Sequence, residues 1–135
     1  MILLCPDLHD LLLANSRRRE ADHVPAVRFF NPLGAGTWLA TELDEDGDTL
    51  FGLADPGFGC PELGSFSLSE LQSIRLPFGM TIERDLLFTG KHPISAYAEA
   101  ARIAGSIPGG ERILRGAADG QRCDQPSPKV GEEEG

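Results

Sequence analysis

The fold is decided by residues 61–88, which read PELGSFSLSELQSIRLPFGMTIERDLLF. An extended run at residues 62–67 is followed by Ser69, whose hydroxyl oxygen is suited to cap the start of a short helix. A Pro-Phe-Gly turn interrupts the chain at residues 77–79, and residues 80–88 have the apolar content of a further strand. The segment therefore predicts a strand, a short helix, a turn and a second strand, with almost no residues between them.

The flanking sequence predicts two more helices and three more strands. An apolar stripe at helical spacing over residues 8–18 predicts the first helix. Residues 24–30, 36–43 and 49–54 are rich in β-branched, aromatic and leucine residues, and glycine, proline, asparagine and aspartate separate them. They predict strands that are joined by tight turns. An amphipathic pattern over residues 93–105, with proline at its start and glycine at its end, predicts the last helix.

Together these elements predict an α+β fold. We expect a small, mainly antiparallel sheet of about five strands with an N-terminal helix, a short central helix and a C-terminal helix, because the central connections are too short for parallel crossovers. At 135 residues the chain has room for one hydrophobic core, so we predict a single α+β domain over residues 1–104. Residues 105–135 repeat glycine, proline, serine and charge, which predicts a disordered or weakly docked tail.

The charge balance limits the classes of partner. The chain has 21 acidic and 12 basic residues and a formal net charge of −9, which disfavours direct binding to the phosphate backbone of nucleic acids. No apolar run approaches the roughly 20 residues of a membrane-spanning helix, and the N-terminus lacks the pattern of a secretory signal. We therefore expect a cytoplasmic protein that does not bind membranes.

Residue spacing gives little support for a metal or a cofactor, and we expect neither. The three cysteines and the three histidines are scattered and lack the spacing that places two ligands on one side of a metal. Asp44, Asp46, Asp48 and Asp55 occupy positions one, three, five and twelve of a calcium-loop pattern, but the glycine required at position six is absent. We interpret this stretch as a solvated hairpin turn.

Several short motifs follow each other in consistent order over about residues 1–104. They are TWLATE at 37–42, FGL at 51–53, PELG at 61–64, FSLSEL at 66–71 and IERDL at 82–86. In this order they resemble the bacterial family catalogued as domain of unknown function 2958. The resemblance implies a small cytoplasmic protein of plasmids, phages and integrated elements, often encoded near conjugation and antirestriction genes. It implies no catalytic residues, and the usual pattern of the family does not extend past Gly105.

Three carboxylates offer an enzymatic alternative. Glu62, Glu83 and Asp85 fall on strands predicted to be neighbours, beside a glycine-rich loop, and paired carboxylates act as acid and base in hydrolases. Strand alternation directs Arg84 to the opposite face, where it would pair with another acid or contact a partner. Surface carboxylates occur together more often by chance, so we assign no catalytic residue and keep a small hydrolase-like enzyme as an alternative.

The preferred hypothesis is a non-enzymatic, acidic interaction protein of mobile genetic elements. Its narrower form is an inhibitor of a host restriction or CRISPR complex, in which the acidic surface occupies a basic nucleic-acid-binding groove of a protein partner. Arg17, Arg18 and Arg19 form the only basic cluster, and nucleic-acid binding through them is a further alternative that the acidity disfavours. The residues expected to bind the partner are Glu42, Asp44, Asp46, Asp48, Asp55, Glu62, Glu83, Arg84 and Asp85.

Overall fold

The computed structural model of the chain describes residues 2–124, with side chains described for residues 2–117. Four α-helices, one 3-10 turn and five β-strands follow each other in this part of the chain, and none of these helices has the length and apolar character needed to cross a membrane. In chain order the elements are α1 (Pro6–Ser16), β1 (Val27–Phe30), β2 (Thr37–Leu43), β3 (Thr49–Asp55), β4 (Glu62–Ser67), α2 (Leu68–Ser73), the 3-10 turn (Pro77–Gly79), β5 (Glu83–Arg84), α3 (Ile94–Ala104) and α4 (Ile107–Asp124).

The five strands form one antiparallel sheet. Its strand order is β4-β3-β2-β1-β5, and β5 joins β1 through the pairs Phe29 with Arg84 and Phe30 with Glu83. Strands β1 to β4 are neighbours in sequence order because short turns connect them. The predicted α+β fold, with a small antiparallel sheet and helices at the N-terminus, the centre and the C-terminus, is confirmed.

Helices cover both faces of the sheet. On β2, which is buried along its whole length, Trp38 belongs to one hydrophobic cluster and its neighbour Leu39 to another. The first cluster contains Leu12 of α1, and the second contains Tyr97 of α3 and Ile107 of α4. Successive side chains of a strand point to opposite faces. The sheet therefore lies between α1 on one side and the pair of α3 and α4 on the other.

A β-bulge in β2 changes which residues face each cluster. The pairing of β2 with β3 shifts register between Ala40 and Glu42, so one extra residue is inserted there. Strict alternation from Ala40 would direct Leu43 to the opposite face, whereas Leu43 belongs to the same cluster as Ala40. Gly52 pairs with Ala40, and a Cβ atom on Gly52 would lie 1.8 Å from the carbonyl oxygen of Leu39. Only glycine fits at position 52, because any Cβ atom there would collide with the backbone of β2.

The cap of α2 lies two residues before the predicted one. The N-cap residue is Ser67, whose hydroxyl oxygen accepts a hydrogen bond from the Glu70 N–H at 3.2 Å. The prediction of Ser69 as the cap is wrong, because β4 runs into α2 without an intervening loop. Ser69 instead donates its backbone N–H to the carboxylate of Asp48 at 2.8 Å.

The strand predicted over residues 80–88 is reduced to the two residues of β5. Before it, Met80 closes the 3-10 turn by donating its N–H to the carbonyl oxygen of Pro77 at 3.2 Å. After it, the side chain of Asp85 accepts the N–H of Leu87 at 3.0 Å and bends the chain into a turn. Turns on both sides therefore limit the length that can pair with β1.

Helix α4 begins two residues after the C-cap of α3 and packs against the rest of the protein. Ile107 in its first turn is buried. Gly110 lies so close to α3 that an added Cβ atom would be 2.5 Å from the backbone nitrogen of Ala101. The disordered or weakly docked tail was predicted over residues 105–135, whereas residues 107–117 form a packed helix, because glycine at position 110 permits close helix packing. Residues 125–135 of the predicted tail lie outside the described residues.

Candidate functional site

The turn between β2 and β3 fixes an exposed carboxylate. Asp46 accepts hydrogen bonds from the N–H of Asp48 at 2.8 Å, the N–H of Thr49 at 2.9 Å and the hydroxyl of Thr49 at 2.6 Å. These bonds lower the pKa of Asp46, and the bond from the Thr49 hydroxyl is the largest cause. Gly47 supplies the positive φ, 74°, that the predicted hairpin turn needs. Asp46 is therefore held in place as a charged group while it remains exposed.

Asp48 links this turn to α2. Its carboxylate accepts the hydroxyl of Ser67 at 2.7 Å and the N–H of Ser69 at 2.8 Å. The bond from Ser67 is the largest cause of a lowered pKa at Asp48. Glu70 is exposed in the first turn of α2, one residue after Ser69. We use the name acidic end for the surface formed by Asp44, Glu45, Asp46, Asp48 and Glu70.

Two acids predicted to bind a partner contact Arg19. Glu42 is only 5% exposed, and its Oε1 lies 3.3 Å from Nη1 of Arg19. Asp44 Oδ1 lies 2.5 Å from Nη2 of Arg19, and the hydrogen bond to Asp44 is the largest cause of a raised pKa at Arg19. Glu42 is therefore too buried to contact a partner, and the charge of Asp44 is partly neutralised by Arg19. The same contacts partly neutralise the basic cluster predicted over residues 17–19.

Asp55 and Glu62 lie at the other end of the sheet from the acidic end. Asp55 pairs with Thr37 at the start of β2, whereas the acidic end follows the last residue of that strand. Asp55 is buried, and its Oδ1 accepts the N–H groups of Gly57 and Phe58, both at 2.9 Å. Glu62 is exposed at the start of the edge strand β4. Asp55 thus holds a loop in place, and neither residue adds to the acidic end.

Glu83, Arg84 and Asp85 lie at the opposite edge of the sheet from Glu62. Strands β4 and β5 are the two edges, and β3, β2 and β1 separate them at a spacing of about 4.8 Å per strand. The structure therefore does not bring Glu62 together with Glu83 and Asp85. Arg84 donates from Nη1 to the carbonyl oxygen of Leu3 at 3.3 Å. The residues predicted to bind a partner thus occupy three separate places and do not form one face.

A cavity of about 510 Å³ lies between β1, the loop after β5 and the first turns of α4. Its volume falls within the roughly 300–1,000 Å³ of small-molecule sites. Of the residues that the sequence singled out as partner-binding, only Asp85 lines it. Its charged lining residues are Arg28, Asp85, Lys91, Glu111, Arg112 and Arg115.

An ion pair between Arg28 and Glu111 borders the cavity. Arg28 pairs with Leu39, which belongs to the cluster on the α3 and α4 side, so Arg28 points to that side. Its Nε and Nη2 donate to the two carboxylate oxygens of Glu111 at 3.0 and 3.1 Å, and its Nη1 lies 3.5 Å from Oδ2 of Asp85. The side chains of Arg28 and Glu111 are 16% and 11% exposed, so the pair is largely shielded from water.

The loop after β5 forms one wall of the cavity. The N–H of Lys91 donates to the hydroxyl of Tyr97 at 3.2 Å, and the His92 ring packs edge-on against the Tyr97 ring with 5.8 Å between centres. Gly90 passes so close to Pro25 that an added Cβ atom would lie 2.2 Å from the Pro25 carbonyl oxygen. These contacts fix the loop and place Lys91 and His92 beside the cavity.

The first turns of α4 form the other wall. Ile107 and Leu114, seven residues apart, both pack into the cluster between the sheet and α3, and Glu111 lies between them in sequence. Arg112 and Arg115 are exposed and line the cavity. The seven-residue spacing of the apolar Ile107 and Leu114 is a helical signal in the sequence. This wall was not predicted from the sequence, because the composition of the chain after Gly105 is typical of a tail.

The described part of the chain offers no cluster of metal ligands, and two of its cysteines have described side chains. Within it, no group of three or more histidine, cysteine, aspartate or glutamate side chains is arranged to hold a metal ion. Cys5 is half-buried and Cys60 is exposed, and both are free cysteines. Chemical modification of Cys60 should therefore be faster than that of Cys5, because its side chain is exposed.

Comparison with known proteins identifies a family but no activity. The family model that matches residues 3–108 is described as protein of unknown function (DUF2958). No curated protein and no solved structure matches the chain. The match ends in the first turn of α4, so the cavity combines residues inside the match with Glu111, Arg112, Leu114 and Arg115 after it.

Proposed function

Since the chain belongs to the DUF2958 family, whose description assigns no function, we propose from its own surfaces that it is a non-enzymatic interaction protein. Its acidic end binds a basic surface of another protein, one that otherwise binds nucleic acid. The net charge of −9 supports this choice of partner, because opposite charges speed association and orient the two proteins before they touch.

The observation that carries the proposal is the fixed position of the exposed Asp46 carboxylate. Three hydrogen bonds from Asp48 and Thr49 hold it, and they keep its pKa low. A group that is already ordered loses little conformational freedom when it meets a lysine or arginine of a partner. The neighbouring Asp48 carboxylate is ordered in the same way by two serines.

Glu45 and Glu70 extend the acidic end without a role in holding the fold. Both are exposed, and among residues 2–117 neither side chain makes a hydrogen bond or an ion pair. Their carboxylates are therefore available to a partner at no cost in internal contacts. Because both side chains are exposed, changing their charge should have a small effect on folding.

We propose, more narrowly, that the partner is a host defence complex of the restriction or CRISPR type. The support is the genetic context that the family resemblance implies, which is plasmids, phages and integrated elements. Such complexes bind nucleic acid through basic grooves, because the phosphate backbone requires positive charge. An acidic protein that occupies the groove would compete with the nucleic acid, and it would act in the cytoplasm.

We propose no second function from the residues that the sequence singled out. The hydrolase alternative needs Glu62 beside Glu83 and Asp85, and these lie on opposite edges of the sheet. The nucleic-acid alternative needs the three arginines of residues 17–19, and Arg19 is already paired with two acids. Neither alternative has a geometric observation in its favour.

The experiment is a capture assay with the tagged full chain in a bacterial lysate at low salt. We expect recovery of a basic, nucleic-acid-binding protein that is released as the salt concentration rises. The variant Glu45→Lys with Glu70→Lys should lose this protein. The control variant Asp10→Lys with Glu62→Lys, which changes net charge equally at exposed sites outside the acidic end, should retain it. Recovery of no such protein from wild type, or its retention by the first variant, would contradict the proposal.

A further inference from the structure

The cavity has a positive lining in a chain whose net charge is −9. Its walls carry four cationic side chains and two carboxylates, so four minus two leaves an excess of two positive charges. This local reversal of the overall charge is not explained by solubility. The cations are Arg28, Lys91, Arg112 and Arg115, and the carboxylates are Asp85 and Glu111.

Both carboxylates of the cavity contact a cation of the protein, whereas three of the four cations form no ion pair among residues 2–117. Glu111 and Asp85 both contact Arg28. Among residues 2–117, the side chains of the other three cations form no ion pair. Two of these cations come from α4 and the third from the loop after β5, so they reach the cavity from two walls. They are Lys91, Arg112 and Arg115.

The rest of the lining is suited to a flat, apolar group. Phe88 and Leu114 are half-buried and pack against the hydrophobic cluster on this side of the sheet. The rings of His92 and Tyr97 stand edge-on to each other beside them. Aromatic side chains and arginine guanidinium planes both stack on planar rings. The cavity thus offers positive charge and ring surface together.

We propose that this cavity binds a phosphate monoester that carries a planar ring, the chemistry of a nucleoside monophosphate. A phosphate monoester carries about −1.5 to −2 charges at pH 7, which matches the excess of two positive charges. Arg112 and Arg115 have planar guanidinium groups that can each donate two hydrogen bonds to phosphate oxygens. Lys91 adds a positive charge from the facing wall. The ring packs beside Phe88 and His92. The site is separate from the acidic end and stands independently of the proposed interaction function.

The experiment is calorimetric titration of AMP into the full chain, with adenosine and phenyl phosphate as further probes. AMP should bind at a single saturable site, phenyl phosphate should compete with it, and adenosine should bind far more weakly because it lacks the phosphate. Arg112→Glu with Arg115→Glu should weaken AMP binding at least about tenfold, since one charge-assisted hydrogen bond corresponds to about a tenfold change in affinity. Lys91→Glu, on the facing wall, should weaken it in the same direction.

A matched control separates the site from general electrostatic attraction. Arg17→Glu with Arg18→Glu makes the same change in net charge at exposed arginines that do not line the cavity, and it should leave the AMP affinity unchanged. Thermal unfolding of each variant confirms that it is folded. If Arg112→Glu with Arg115→Glu does not fold, the AMP affinity of Lys91→Glu tests the proposal in its place. Absence of saturable AMP binding, equal binding of adenosine, or an equal loss in the control would overturn the proposal.

Discussion

Arg28 on β1 and Glu111 on α4 form a two-pronged ion pair, with Nε and Nη2 of the arginine at 3.0 and 3.1 Å from the carboxylate oxygens. The residues are 83 positions apart in the chain. The pair joins the sheet to α4, although the composition of this part of the chain predicts a tail. It also holds α4 where it closes the cavity, so the same contact serves the fold and the proposed binding site.

Removing Glu111 should destabilise the protein measurably. Glu111→Ala leaves the shielded Arg28 guanidinium without its closest partner, and we expect the free energy of unfolding to fall by about 1–3 kcal/mol. Urea unfolding monitored by circular dichroism measures the change. The control is Glu99→Ala, which removes an exposed pair with Arg102 inside α3 and should change the free energy by less than about 1 kcal/mol. Equal effects of the two substitutions would contradict the structural role given to Glu111.

The packing of α4 against α3 should depend on Gly110. An added Cβ atom at Gly110 would lie 2.5 Å from the nitrogen of Ala101, whereas a Cβ atom at Gly116 in the same helix meets nothing within 4 Å. Gly110→Ala should lower the free energy of unfolding by about 1–3 kcal/mol through overpacking. Gly116→Ala should leave it unchanged or raise it by up to about 1 kcal/mol through helix propensity. Thermal unfolding compares them, and a stable Gly110→Ala variant would mean that α4 does not dock closely.

Phe78 should be a site at which substitution stabilises the protein. It has a φ of 63° and is 93% exposed, so its ring gains little from packing in return for a left-handed backbone. Phe78→Asn should raise the free energy of unfolding by about 0.5–1 kcal/mol, because asparagine tolerates that conformation better. Phe58→Asn is the control, since Phe58 is 84% exposed without a positive φ. If both substitutions raise the free energy of unfolding equally, or if neither raises it, backbone strain at Phe78 does not destabilise the protein.

The acidic turn should contribute to stability in a pH-dependent way. The folded pKa of Asp46 lies below its ordinary value of 3.8, with the Thr49 hydroxyl bond as the largest cause. The contribution is therefore fully present above about pH 3.8 and is lost as pH falls through the folded pKa. Asp46→Ala should lower the unfolding temperature at pH 7, and its difference from wild type should shrink in acid. A difference that stays constant from pH 7 to strongly acidic pH would contradict this assignment. Glu45→Ala, whose side chain forms no hydrogen bond within residues 2–117, is the matched control.

Strands β1 to β4 were predictable because local signals and tertiary contacts agree, whereas the turns on both sides of β5 reduce the strand predicted over residues 80–88 to two residues. The predicted hairpin through residues 44–48 is present, with its carboxylates and Gly47 in the roles that the turn requires. The bulge after Ala40 was not predictable, because it depends on Gly52 lying against the neighbouring strand. Period-two alternation therefore gives the wrong face for Leu43.

The candidate sites were less predictable than the fold, because charge in the sequence does not show where each side chain lies. Glu42 and Asp55 belong to the acidic block of the sequence, yet both are buried and hold internal partners. The cavity was missed because its cations come from distant segments that only the packing of α4 brings together. Glycines such as Gly110 end helices in some contexts and permit close packing in others, and composition does not distinguish these roles.

The most direct test of the account is competition between the chain and nucleic acid for the captured basic protein, measured by the fluorescence anisotropy of a labelled DNA. Wild type and the variant Asp10→Lys with Glu62→Lys should displace the DNA, and displacement should weaken as salt rises. Glu45→Lys with Glu70→Lys should be at least about tenfold less effective, as the loss of two charged contacts implies. DNA that stays bound in the presence of wild type, or is displaced equally by the two variants, would contradict the proposed function of the acidic end.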